Sequence, residues 1–216
     1  MERRLRQHAL DLALFNLPPG DWASGERGIA ALPNRFEEFR SGVDKALDYA
    51  QATGARSLHM MAGLADPSDA DTARSYRRAV DFAAPKLAAH GLNLLLEPIN
   101  GRSMPGYLLN DFARAAALIE ELDQPNLRLQ FDVFHRQIMH GDITESFRCL
   151  RPMIGHVQIA GVPARHEPDA GEVDYRYFFE LLERSTYSGF VGCEYQPAGS
   201  TTSGLGWFTP YRRRRK

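Results

Sequence analysis

The sequence holds only two cysteines in 216 residues, Cys149 and Cys193. That is too few for a disulfide framework, and their spacing matches no zinc motif. No uninterrupted apolar stretch nears the roughly 18 residues of a membrane span, and the first residues carry no apolar signal-peptide core. The formal net charge is −1, which gives no overall pull toward nucleic acid or an anionic membrane. No Gly-x-Gly-x-x-Gly follows any strand-like run, which weakens the case for a dinucleotide fold. These absences suit a soluble protein of a reducing cytoplasm, with no nucleic-acid or membrane partner expected. At 44% hydrophobic and 25% charged residues the chain can bury one good-sized core. We expect a single domain over residues 1–211 and a disordered basic tail at 212–216.

What is present is alternation. Apolar strand-like runs cover Leu10–Leu17, Arg56–Met61, Leu92–Asn100, Leu127–Asp132, Ile154–Gln158 and Phe190–Glu194. Between them the apolar period changes to that of a helix, as in Phe36, Phe39, Val43, Leu47 and Ala50, which Gly54 closes. Further helices are expected over Asp71–His90, after a cap at Asn110, on Ile143, Phe147 and Leu150, and over Tyr175–Arg184. Met1–His8 reads as the end of a helix. The segment Asp21–Arg35, with Trp22, Arg27 and Gly28, is a long loop of the kind that is ordered for function or else flexible.

Strand and helix alternate at roughly 35 residues per unit, which implies a parallel sheet covered by helices. An open doubly wound sheet and a closed eight-fold barrel compete. Polar residues at the C-terminal ends of many strands favour the barrel, because there the strand ends converge on one axis. The expected fold is therefore α/β, a (β/α)8 TIM barrel shortened to about six strand-helix units.

Four of those strand ends carry Glu97, Asp132, Gln158 and Glu194. Three carboxylates and an amide carbonyl form an all-oxygen set that suits a hard divalent ion, Mg or Mn. Converging carboxylates would also repel one another without a cation. Three of the four have a plainer reading: a solvated loop for Glu97, a cap or turn for Asp132, a backbone-paired strand residue for Gln158. Four such coincidences are less plausible than one shared site.

The segments Phe15–Trp22, Glu26–Ala30, Glu97–Asn100, Met104–Tyr107, His156–Ala160 and Gly192–Tyr195 resemble the hydroxypyruvate isomerase family of xylose isomerase-like barrels, which includes the 2-oxo-tetronate isomerases. The resemblance runs from about Leu5 to Tyr211. It implies that Glu97 and Glu194 form a proton-transfer pair and, with Asp132 and Gln158, ligate the metal. The implied reaction is an aldose-ketose isomerisation of a small hydroxy-carbonyl acid through an enediolate. It further places His135, and with less support His59, beside the substrate oxygens, although a satisfied structural histidine fits His135 as well. A substrate carboxylate needs a cation, for which Arg27, Arg102 and Arg165 are candidates, each against a solvated-surface alternative.

Family members normally carry two further strand-helix units before the position where this chain begins. Unpaired strand edges invite association, so a homo-oligomer is open. Gly161 stands where relatives tend to have Asp, and Gln196 where they tend to have Arg. Two other readings remain at this level. One is a DNA-repair nuclease of the same superfamily, which would need a basic groove. The other is an inactive shortened barrel that at most binds a small molecule or a partner chain.

Overall fold

The computed structural model describes residues 1–212. The proposed tail therefore lies, apart from Arg212, outside the described residues. Six strands follow in chain order: β1 Leu14–Asn16, β2 Ser57–His59, β3 Asn93–Leu96, β4 Leu127–Asp132, β5 Ile154–Ile159 and β6 Val191–Cys193. All neighbours are parallel and the spatial order is β1-β2-β3-β4-β5-β6. A doubly wound sheet reverses its strand order at a switch point, and here none occurs. The result is a half-barrel of six parallel strands, as the polar residues at the strand ends and the six strand-like runs imply.

The helices are α1 Glu2–His8, α2 Phe36–Thr53, α3 Ala70–Ala88, α4 Phe112–Leu122, α5 Val133–Met139, α6 Ile143–Leu150, α7 Tyr175–Arg184 and α8 Thr201–Gly204. The apolar faces read from sequence are the buried ones: Phe39, Val43, Ala46, Leu47 and Ala50 on α2, and Tyr76, Val80, Ala83 and Leu87 on α3. Gly54 ends α2 at φ 70°, the left-handed conformation that glycine tolerates. α4 is capped by Asp111, whose carboxylate accepts from Arg114 N–H. Asn110 was the expected cap, but a cap must sit one residue before the first helical turn, and that position is 111.

Several strands are shorter than their apolar runs. Leu10–Leu17 pairs only over Leu14–Asn16, and Leu92–Asn100 only over Asn93–Leu96. Ladder pairing stops where the chain peels away into mouth loops, whereas burial continues through Ile99 and Asn100. The residues after Asp132 form a helix, α5, which carries His135 in its first turn.

Leu94, Leu95 and Leu96 are all fully buried at the sheet centre. Leu96→Ala removes a close-packed side chain directly before Glu97. It is expected to cost about 2–5 kcal/mol, read as a lower urea midpoint at unchanged slope.

The Asp21–Arg35 loop is ordered. Gly28 has φ 109°, and a Cβ there would stand 2.3 Å from the Met61 carbonyl oxygen. Glycine thus lets the loop backbone lie against the end of β2, fastened by Ala31 N–H donating to Ala62 O. Glu26 ties the loop to Arg35 and to the Asp21 N–H. Among the described residues, no helix is long and apolar enough to cross a membrane.

Candidate active site at the strand ends

A cleft of about 560 Å³ opens at the C-terminal ends of the strands, and its lining includes His59, Glu97, His135, Gln158, Arg165 and Glu194. Glu97 follows β3 directly and is 4% exposed. Its Oε2 stands 3.6 Å from His59 Nε2, and its Oε1 has no partner.

Asp132 ends β4 and is fully buried. Its two oxygens do different work. Oδ1 caps α5, accepting from Phe134 N–H at 2.7 Å and His135 N–H at 3.3 Å. Oδ2 is unpartnered, 3.7 Å from His135 Nε2 and 3.9 Å from Arg165 Nη2. The cap reading and the site reading of Asp132 are thus compatible.

Gln158 pairs in register with Asp132 across β4 and β5. Its carbonyl accepts from Gln130 Nε2 at 2.7 Å, and its amide donates to Glu194 Oε2 at 3.1 Å. Glu194 follows β6 with its side chain 56% exposed, and Arg165 Nη2 donates to the same Oε2 at 2.9 Å.

The two arginines at the mouth differ. Arg165 is committed to Glu194 and packs over the Phe134 ring at 4.9 Å. Arg27 stacks on Trp22 at 3.9 Å and donates only to the Trp22 and Glu26 carbonyls. No carboxylate pairs with it among the described residues. Arg102 is exposed and does not line the cleft.

Burial dominates the electrostatics. It holds the Glu97 carboxyl well above its ordinary value of 4.5, and the Asp132 and Glu194 charges push the same way. Burial also raises Asp132 to about 6, against the opposing pull of Arg165 and of two backbone N–H groups. Glu194, more than half exposed at the rim, is raised as well, by its partial enclosure first and against the pull of Arg165. The imidazoles move oppositely: burial brings His59 and His135 down to about 3 and His156 to about 4. Three carboxylates facing neutral histidines, with Glu97 Oε1 and Asp132 Oδ2 unpartnered, form a site short of positive charge. Glu97, Asp132 and His135 bring one ligand-type atom each to within 4.8 Å of one another. The unpartnered oxygens of Glu97 and Asp132 in that cluster fit a metal ion.

Four contributors escaped the sequence reading: Gln130, His156, Asn100 and Asn16. Gln130 and His156 each lie two residues before a proposed ligand on the same strand, and alternation puts them on the same face. That period-two signal was available in Gln130-Phe131-Asp132 and His156-Val157-Gln158.

Sequential parallel strands with polar groups gathered at their C-terminal ends define the TIM-barrel class of active site. The chain belongs to the xylose isomerase-like TIM barrel family, whose model matches residues 1–211. It is 49% identical to a 2-oxo-tetronate isomerase of Cupriavidus necator, over 98% of this chain and 82% of that protein. It is 42% identical to a hydroxypyruvate isomerase of Escherichia coli, over 96% of this chain and 81% of that one. Among solved structures, the crystal structure of an AP endonuclease, family 2, from Brucella melitensis superposes with a TM-score of 0.95 at 48% identity, covering 98% of this chain and 83% of the other.

Proposed function

We propose that the chain is a metal-assisted isomerase interconverting hydroxypyruvate and 2-hydroxy-3-oxopropanoate (tartronate semialdehyde), with residues 1–211 acting as one domain. The observation that carries this reading is the pair of unpartnered buried carboxylate oxygens, Glu97 Oε1 and Asp132 Oδ2, below a small polar cleft. Glu97, Asp132, Gln158 and Glu194 would hold the ion, and an oxygen set of this kind suits Mg or Mn. When bound, such an ion polarises the substrate carbonyl and acidifies the neighbouring C–H.

The remaining chemistry belongs to the chain. One carboxylate of the Glu97 and Glu194 pair takes the proton from C3 of hydroxypyruvate, leaving an enediolate. The other returns a proton at C2 while the O3 hydroxyl proton passes to O2, so C3 becomes the aldehyde, C2 becomes the carbinol, and substrate and product have the same composition. Their environments differ, Glu97 being enclosed and Glu194 held by Arg165 and Gln158, which lets two carboxylates take opposite roles. Arg27 is the better cation for the substrate carboxylate, since Arg165 is already paired, and its planar face against Trp22 orients the guanidinium fork. His59 and His135 border the reacting oxygens.

A four-carbon substrate is the second reading. Relatives at 49% and 42% identity are named 2-oxo-tetronate isomerase, and about 560 Å³ leaves room beyond three carbons. The name of the Brucella structure raises a nuclease, but duplex binding rests on many phosphate contacts. A net charge of −1 and two mouth arginines, one of them paired, do not supply them.

The test is proton exchange at the substrate carbon in deuterated water, with Mg or Mn, on both substrates. Glu194→Gln is expected to lower exchange by about 10²–10⁴-fold. A chain whose melt rises with metal but which exchanges no proton on either substrate would overturn the isomerase and support the inactive binding barrel.

A further inference from the structure

Asn100 is buried, 1% exposed, at the end of the segment that carries Glu97. Its side-chain orientation is settled by a neighbour: the backbone N–H of Ser103 donates to Oδ1 at 2.8 Å, and an N–H can only donate. The amide nitrogen therefore faces the other way, where Nδ2 meets His135 Nδ1 at 2.6 Å. The backbone N–H of Asn100 points at the same ring nitrogen from 3.3 Å. Two donors converge on His135 Nδ1, which must present its lone pair to receive them. A single tautomer satisfies this, with the ring hydrogen on Nε2.

We infer that Asn100 is a positioning residue that locks His135 in the Nε2–H tautomer, making His135 a hydrogen-bond donor into the cleft beside Asp132 and not a metal ligand. A histidine that ligates through Nε2 carries its hydrogen on Nδ1 and donates it to an acceptor. At His135 that position is held by two donors, so ligation through Nε2 would set three hydrogens against one nitrogen. The proximity of His135 Nε2 to Asp132 Oδ2, 3.7 Å, is then a donor facing an acceptor, with a substrate or water oxygen as the natural third party. This leaves the metal to the oxygen ligands alone. It also gives the substrate a fixed donor for a carbonyl or enediolate oxygen.

His59 shows the opposite arrangement. Its Nδ1 lies 3.1 Å from Asn16 Oδ1, while the Asn16 amide nitrogen faces the Met61 sulfur, an acceptor, at 3.9 Å. Nδ1 of His59 is therefore the protonated nitrogen, and Nε2 is the end turned to Glu97. The two buried histidines of the cleft can thus be told apart in one spectrum.

The experiment is a two-bond ¹H–¹⁵N correlation on the full 216-residue chain, metal-free and labelled at histidine, with signals assigned by His59→Gln and His135→Gln. His135 is expected to carry its hydrogen on Nε2. Asn100→Asp keeps an oxygen for the Ser103 N–H and exchanges only the donor facing Nδ1 for an acceptor. In that variant His135 should gain a hydrogen on Nδ1 while His59 is unchanged. A wild-type His135 protonated on Nδ1 would sink the inference, as would an Asn100→Asp spectrum in which His135 still holds only Nε2–H. Should that variant not fold, the wild-type spectrum decides.

The catalytic consequence rests on the isomerase reading: Asn100→Asp should lower kcat by about 10–100-fold with little change in KM. The spectrum is independent of it, so a chain that isomerises nothing can still uphold the tautomer.

Discussion

Glu97→Gln is expected to lower proton exchange on the substrate by about 10²–10⁴-fold, and at the same time to make the metal-free chain more resistant to heat above neutral pH. The two outcomes share one cause. Glu97 is enclosed, its Oε1 has no partner, and its carboxyl is held well above 4.5 by burial and by the Asp132 and Glu194 charges. Between 4.5 and its native value the folded chain holds a proton that the unfolded chain has released. Stability from this group is therefore complete below 4.5 and is lost as pH rises through the native value. The buried histidines have the opposite sign: they are depressed from 6.5 to about 3 or 4, so their contribution is present above 6.5 and lost on acidification. Below 6.5 the two sets oppose each other. Above 6.5 the histidines are neutral in both states, and the raised carboxyls of Glu97 and Glu194 are what remain of this cluster. The EDTA-treated wild-type chain should melt progressively lower from pH 6.5 to 8, and Glu97→Gln should flatten that slope. Equal slopes for the two would show that Glu97 has already lost its proton by pH 6.5 in the folded chain.

Such a trade of stability for charge explains which parts of this molecule could be read from its sequence. A strand buried on both faces must be nearly all apolar, so Leu92–Leu96 announces itself, and a carboxylate directly after it is conspicuous. The same contrast marks Asp132 after Phe131 and Glu194 after the β6 run. Gln130 and His156 lack that contrast. They sit inside strands, and their polarity is tolerated because the inner face at that level is the cleft floor, where Gln130 bonds Gln158. Asn100 and His135 are 35 residues apart, and nothing local links them. Their contact exists because β3 and β4 pair in parallel, bringing the chain after each strand to the same end of the sheet. α5 was missed for a related reason: at seven residues it has too few positions to show a helical period. Its start depends on Asp132, whose cap and site roles are indistinguishable in sequence.

Those two roles can be separated by experiment. Asp132→Asn keeps Oδ1, which accepts from the Phe134 and His135 N–H groups, and replaces the unpartnered, charged Oδ2 by an amide. In EDTA this variant should melt no lower than the wild type, since the α5 cap survives and a buried carboxylate raised to about 6 is gone. Asp132→Ala removes the cap as well. It should cost roughly 0.5–2 kcal/mol in metal-free buffer through the lost N-terminal hydrogen bonds of α5. With Mg or Mn added, the difference reverses in character. A ligand that binds only the native state stabilises it by about 2.7 kcal/mol at a hundredfold excess over its dissociation constant, so the wild-type melt should rise. Neither variant should respond, because both lack the anionic oxygen. An Asp132→Asn chain that is raised by metal as much as the wild type would remove Asp132 from the ligand set and leave its cap as its whole function.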